Sequence, residues 1–459
     1  MRLDRLPQLK TPPSKSPPSS PRPHFTPTLS CLQKMPSSIP IEIIYLFIEA
    51  SRDCMPTLLQ FALVSKECMV ESRKYAFERV KLGHRPASPG FNFNCRQIKE
   101  LYALMTANIA LGTYIRHLDL GIFRCLCLDK NHVSHELSSI LLRLPAIASL
   151  SLSRSGRGCL PGQYDWKVWP SPFKASIERC CSSPTITTLH FGNFYNFPHD
   201  LLTLPRNLEA LSLGRVDGVA ESPDELRRPV NQRQSLKTLS IAGGWPVVAS
   251  CVLVAPQEFS SIIKLGWHVS KQEDVSALGR VVREIPRSKS LQELSIQLSV
   301  ELIPSAEGSL ESLPQVKKLV VTSNAMADFQ PAYMPRPPPS AHLFLAGQLL
   351  QAQRELEVFL FKCTVCPQID IGNTGFAIPP DIQQRCDGWK SLDELLSGLR
   401  KPPTIICHFT AFWIPSSRVH ATDDLKAAFK DRLMQEAQNA LCQSVEAGRI
   451  TIVLDETEG

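Results

Sequence analysis

Leu208-Glu-Ala-Leu211-Ser-Leu213 spaces three leucines so that the last two alternate with a single small polar residue. Alternation at a period of two marks a strand with one face in a core. The same spacing occurs upstream as Ile115-Arg-His-Leu118-Asp-Leu120, Ile147-Ala-Ser-Leu150-Ser-Leu152 and Ile186-Thr-Thr-Leu189-His-Phe191. Downstream it returns as Leu236-Lys-Thr-Leu239-Ser-Ile241, Ile262-Ile-Lys-Leu265-Gly-Trp267, Leu291-Gln-Glu-Leu294-Ser-Ile296, Val316-Lys-Lys-Leu319-Val-Val321 and Leu356-Glu-Val-Phe359-Leu-Phe361. Successive central positions lie 32, 39, 22, 28, 26, 29, 25 and 40 residues apart, which leaves room for a helix or loop to lead back to the next strand. Units of this size cannot bury an apolar face alone and must stack on one another. The expected fold class is therefore α/β, with parallel strands joined by return helices through right-handed crossovers.

The L-x-x-L-x-L pattern resembles the leucine-rich repeat. The copies are irregular: the asparagine that the repeat places eight residues after its first apolar position occurs only at Asn324, and Ser155, Ser299 or Thr364 stands there elsewhere. Losing that backbone-satisfying amide implies variable turns in an irregular solenoid. Return helices are expected over His135–Leu144, Glu273–Ile285 and Ala341–Arg354, each carrying apolar residues at helical spacing before a strand. Gln330–Ser340 holds five prolines and reads as an insertion between repeats. Residues 367–400 are less regular, and Thr404–Phe412 reads as a strand. A long amphipathic helix is expected over Asp423–Ala447, with Gly448 as its C-cap, then a last strand at Arg449–Asp455. These elements would cap the open end of the stack.

Ahead of the repeats stands PSSIPIEIIYLFIEASRDCMPTLLQFALVSKECMVESRKYAFERVKL, residues 36–82. It reads as three short helices. Ser37 and Ser38 offer N-cap oxygens, Pro40 suits a first turn, and Ile41, Ile44 and Ile48 draw one stripe. Asp53–Pro56 breaks the chain, Leu58, Leu59, Ala62 and Leu63 belong to a second helix, and Ser65 caps a third. So small a unit needs a partner surface to complete its core. The pattern resembles the F-box, the adaptor-binding module of Skp–cullin–F-box ubiquitin ligases. The resemblance rests on Ile39-Pro40, Glu42-Ile43-Ile44, Leu58-Leu59 and Leu63-Val64-Ser65-Lys66, and on an Arg73…Tyr75…Phe77…Val80 ending like that of many fungal F-box proteins. Cys68 stands where the family usually has tryptophan. The resemblance implies that Pro40, Ile43, Ile44, Leu59 and Val64 contact a Skp-type adaptor, and through it a cullin–RING ligase. A plain helical cap on the repeats is the other reading of the same residues.

The resulting division is a Pro/Ser-rich tail over 1–35, a helical module over 36–82, repeats over 83–366 and their continuation and cap over 367–459. The tail has too little apolar content to order itself, and its Thr11, Ser16, Ser20 and Thr26 each precede proline. Hydrophobic content of 43 % and charge of 20 % describe a protein with a sizeable core. A net charge of +7 without a dense Lys/Arg run does not point to nucleic acid. The longest apolar run, Val247–Ala255, is too short to span a bilayer. With no apolar leader and fifteen scattered cysteines, reduced thiols in cytoplasm or nucleus are expected.

No catalytic constellation emerges. A phosphate loop is absent, Gly156-Arg-Gly158 runs into Pro161 and Gly162, and His199-Asp200 stands alone. Two cysteine groups invite a zinc reading: Cys363 and Cys366 with Cys386, Cys407 and His408, and Cys125 and Cys127 with His132 and His135. Neither spacing is that of a zinc knuckle, so structural thiols and no cofactor are expected. The residues that alternate with the core positions should line the inner face of the solenoid. They include His117, Asp119, His190, Lys264, His268, Glu293, Lys318 and Lys362, with Ser149, Ser151, Ser212, Ser240, Gly266 and Ser295 between them. This mild mixture suits a protein client, of no readable identity. The combined expectation is a substrate-recognition subunit of a ubiquitin ligase; the alternative is a repeat scaffold without a ligase.

Overall fold

The computed structural model describes residues 39–82, 93–122, 133–154, 164–198, 200–218, 236–243, 259–270, 272–284, 291–298, 315–324, 346–347, 349–350, 353, 355–365, 368–369, 376–377, 381–399, 403–413, 423–448 and 450–458. The expectations for the 1–35 tail, for Cys125, Cys127 and His132, for Gly156–Gly162, for His199, for the 247–255 run and for the proline-rich 330–340 stretch lie outside the described residues.

Three helices open the chain: α1 (Ile41–Ala50), α2 (Met55–Phe61) and α3 (Lys66–Glu78). Pro40 itself occupies the N-cap position of α1, its carbonyl accepting from the N–H groups of Ile43 and Ile44. Ser37 and Ser38, expected there, are not among the described residues. Ser65 caps α3 as its sequence implied, its Oγ accepting from the Cys68 N–H at 3.1 Å. Ile48, Leu58 and Cys68 form a small core of their own, against which Ile41, Ile44, Tyr45, Phe61, Tyr75 and Ala76 pack.

Helix α3 passes without a loop into strand β1 (Arg79–Leu82), and β1 is already part of the main sheet. The expected module boundary at residue 82 thus falls inside the repeat stack. Phe77-Glu-Arg-Val80-Lys-Leu82 is a further copy of the repeated spacing, and Val80 pairs with Leu118 just as each later centre pairs with the next.

The other strands are β2 (His117–Ile122), β3 (Ser149–Arg154), β4 (Tyr164–Asp165), β5 (Thr188–Phe197), β6 (Ala210–Gly218), β7 (Thr238–Ala242), β8 (Lys264–Val269), β9 (Glu293–Leu298), β10 (Lys318–Asn324), β11 (Val358–Val365), β12 (Gln368–Ile369), β13 (Phe376–Ala377), β14 (Thr404–Trp413) and β15 (Ile450–Glu458). The main path is β1-β2-β3-β5-β6-β7-β8-β9-β10-β11-β14-β15, parallel throughout, with β4 beside β5; β12 and β13 form a separate antiparallel pair. One register runs across it: Leu118, Leu150, Leu189, Leu211, Leu239, Leu265, Leu294, Leu319 and Phe359 are successive partners. Parallel strands need a crossover between each pair. Helices α4 (Phe93–Ala107), α5 (Leu111–Tyr114), α6 (Val133–Leu142), α7 (Ser171–Cys181), α8 (Asp200–Thr203) and α9 (Gln272–Glu284) supply several of them. Within 341–354, the described Ala346, Gly347, Leu349 and Leu350 are helical. The helices and one face of the sheet share a single continuous core.

Strand β5 departs from plain alternation. Phe191, Phe194 and Phe197 are all buried although they are three residues apart. Asn193 and Asn196 between them take φ of 65° and 51°, and the pairing with β6 shifts register between Phe194 and Phe197. Each left-handed asparagine resets the alternation, so that all three rings turn into the core with Trp166, Trp169 and Phe173.

The C-terminal region differs from expectation in three ways. Residues 367–400 contain a long helix, α10 (Asp381–Gly398). The single helix expected over 423–447 is broken into α11 (Asp423–Ala440) and α12 (Cys442–Glu446) at the buried Leu441. The buried Asp393 of α10 accounts for the break: its carboxylate accepts from the N–H groups of Gln443 and Ser444 at 2.9 and 3.0 Å. The last strand is Ile450–Glu458 rather than Arg449–Asp455, and Gly448 precedes it with φ of 64°.

Candidate protein-docking faces

The first face lies on the three-helix module. Helix α1 carries only Glu42 and Glu49 as charges, and its apolar residues surround it. Ile48 is buried and Ile41, Ile44 and Tyr45 pack with it, on the side facing α2 and α3. Ile43, Leu46 and Phe47 fall on the opposite side at i, i+3 and i+4 and are exposed. A helix apolar all round is a buried helix, yet within this chain α1 is covered on one side only. Met55 and Leu59 of α2, and Leu63 and Val64 after it, are exposed as well, Leu63 to 87 %. Nine of the fifteen exposed large apolar residues among those described fall within residues 39–70. Scattered apolar exposure is ordinary; this concentration on one small unit is the mark of an interface.

Of the residues expected at the adaptor, Pro40, Ile43, Leu59 and Val64 are exposed on the module. Ile44 is not of this set. It packs into the module's own core, because it follows Ile41 and precedes Ile48 on the inner stripe. Leu46, Phe47, Met55 and Leu63 join the exposed set. For Leu46 and Phe47 the sequence carried a signal, namely a second apolar stripe on α1 one hundred degrees or more from the first. Cys68 is buried in the module core, where a tryptophan would need a larger space.

The second face is the side of the main sheet turned away from the helices. Strand alternation and the shared register arrange its side chains in three rows. The first reads His117, Ser149, Thr188, Ala210, Thr238, Lys264, Glu293, Lys318, Val358, Thr404. The second reads Asp119, Ser151, His190, Ser212, Ser240, Gly266, Ser295, Val320, Leu360, Ile406. The third, over the later strands, reads Ala242, His268, Gln297, Thr322, Lys362, His408, Val453. All eight residues expected on the inner face are in these rows, though not at one spot.

Local partners divide them. Lys264 and Lys318 both reach Glu293 Oε2, at 3.7 and 3.2 Å, so this trio is one network with one net positive charge. His408 Nε2 lies 2.7 Å from Asp455 Oδ2. Lys362 is exposed. Burial holds His190 below the ordinary imidazole pKa, opposed by the Asp119 carboxylate. Burial also lowers His268, against Asp274, and lowers His117 with help from Arg79. Strands β7 and β8 pack tightly at this face: a Cβ at Gly266 would stand 3.1 Å from Ser240 Oγ.

Apolar residues on this face escaped sequence reasoning. Val320, Leu360 and Ile406 are direct partners on β10, β11 and β14. Val320 is buried yet belongs to neither hydrophobic core.

Among the described residues no group of three or more His, Cys, Asp or Glu side chains could hold a metal ion. Cys407 lies in the core of the sheet, where burial pushes its thiol up to about 12, while His408 points to the other face. No described helix is long and apolar enough to cross a membrane. No known family model matches the chain, and no curated protein sequence matches it either.

Proposed function

We propose that this protein is a substrate receptor that joins a Skp-type adaptor, and through it a cullin–RING ligase, to a client protein. The observation that carries the proposal is the exposed apolar side of the helical module, Ile43, Phe47, Leu59, Leu63 and Val64, on a unit whose own core holds only three fully buried apolar side chains. The F-box resemblance of residues 36–82 supports the choice of adaptor. The direct passage of α3 into β1 supports the coupling of adaptor to client, since it leaves no flexible linker between the module and the sheet. In this reading the chain does no chemistry of its own. It raises the client's effective concentration near the ubiquitin-loading enzyme, which converts a bimolecular encounter into a positioned one.

The test is binding of the purified full chain to a Skp-type adaptor by interferometry, beside Ile43→Ala with Leu59→Ala. Buried apolar anchors are worth about 2 kcal/mol each, so the double variant should lose on the order of 1,000-fold with unchanged circular dichroism. Lys362→Ala should bind as wild type. Wild-type protein that fails to bind the adaptor at micromolar concentration would leave a repeat scaffold without a ligase.

A further inference from the structure

Resting on that reading of the sheet face as the client's, we propose that the client segment is an extended peptide with a bulky apolar side chain flanked by acidic residues, and that it docks across β10, β11 and β14. The middle row there is apolar: Val320, Leu360 and Ile406 stand side by side in register. Neighbouring strands are about 4.8 Å apart, so the row spans roughly 10 Å, the length of one or two large side chains. Both borders are cationic. Lys318 lies two residues before Val320, and Lys362 lies two residues after Leu360, on the same face. Each border therefore stands roughly 7 Å from the apolar row.

The charges do not cancel. Glu293 answers only one of Lys264 and Lys318. Lys362 makes no ion pair among the described residues, and it neighbours His408 across the ladder rather than an acid. An apolar row bordered on one side by the net positive Lys264–Glu293–Lys318 trio and on the other by Lys362 repels a basic segment and offers a purely polar one nothing in its centre. It complements an apolar side chain with carboxylates on either side. Leu360 and Ile406 are half-buried and form the accessible part of the row, beside the buried Val320. The first strands lack such an apolar row, their middle row being Asp119, Ser151, His190 and Ser212.

The test is selection of a random-peptide phage library on the immobilised full chain, followed by synthesis of the recovered sequences and fluorescence anisotropy. Recovered peptides should be enriched in Leu, Phe or Ile with Asp or Glu within a few positions. They should lose about tenfold or more in affinity for Leu360→Asp and for Lys362→Glu. Lys362 is exposed, so its variant should keep the wild-type thermal midpoint and stays informative if Leu360→Asp misfolds. Leu59→Asp, on the helical module, should bind the peptides as wild type. A recovered pool that is basic or polar, an empty selection, or affinities indifferent to Lys362→Glu would overturn the proposal. Peptides that bind while the adaptor does not would sink the ligase reading and leave this one standing.

Discussion

Gly112 of α5 shows how closely the backbone packs against the turn that follows α6. A Cβ on this residue would lie 2.1 Å from the carbonyl oxygen of Arg143, and backbone cannot step aside as a side chain tip can. Gly112→Ala should therefore lower the thermal midpoint by several degrees, about 2 kcal/mol or more by the measure of overpacked sites. Gly398→Ala, with open space at its Cβ, is the control and should be close to neutral. The buried leucines of the register give a second residue-scale expectation. Leu294 is fully buried, and Leu294→Ala should cost about 2–5 kcal/mol in chemical denaturation. Ser295→Ala, one residue on and on the other face, should cost little; equal losses at both would contradict the register. The histidines of the open face carry a pH signature. Burial keeps His190 and His268 below the ordinary 6.5. As pH falls the unfolded chain takes up their protons first, so stability is full above about 6.5 and declines below it, until the folded imidazoles protonate too. Titration of the imidazole resonances should give midpoints below 6.5, and His190→Gln should flatten the decline.

At the scale of elements, α1 and α3 do different work. Helix α3 is fixed at its start by Ser65 and at its end by running into β1. Ser65→Ala removes one capping bond and should cost about 1 kcal/mol, read as a shift of the denaturation midpoint. Helix α1 has two apolar faces with different roles. Ile48→Ala should unfold or loosen the module, because Ile48 is one of the three buried side chains at its centre. Phe47→Asp should leave the module folded, and in isolated protein should raise solubility, because it places a charge on the exposed side. Loss of helical circular dichroism in Phe47→Asp comparable to that of Ile48→Ala would show that the second face packs within the chain after all.

At the scale of the molecule, the stack from β1 to β15 has no internal break in pairing among the described residues. Each strand buries its apolar side only against the units beside it and the helices behind them. A single cooperative transition is expected in calorimetry. Leu120→Ala in β2 and Leu319→Ala in β10, seven strands further along the sheet, should both shift that one transition. Two separate transitions, each sensitive to one of the pair, would show that the sheet melts in parts. Because β1 belongs to this stack, deleting residues 39–82 should cost the sheet its first strand and lower the same transition.

The spacing of apolar residues was enough to determine that strands would recur, which residue stands at the centre of each, and which alternate residues face away. That information is local, since a period of two assigns every side chain to a face before any neighbour is known. The spacing in residues 36–82 likewise announced three helices. Only the tertiary structure decided which of several equivalent stripes was used. On α1 two apolar stripes compete in the sequence, and packing against α2 and α3 turned Ile44 inward and left Phe47 outside. Val80 fitted a helical ending and a strand centre equally well, and pairing with Leu118 chose the strand. Asp393 broke the helix at Leu441 through hydrogen bonds to Gln443 and Ser444, residues far along the chain from it. The apolar row of Val320, Leu360 and Ile406 exists only once β10, β11 and β14 lie side by side. Each of these outcomes depends on contacts between residues distant in sequence, and periodicity within one segment carries no information about them.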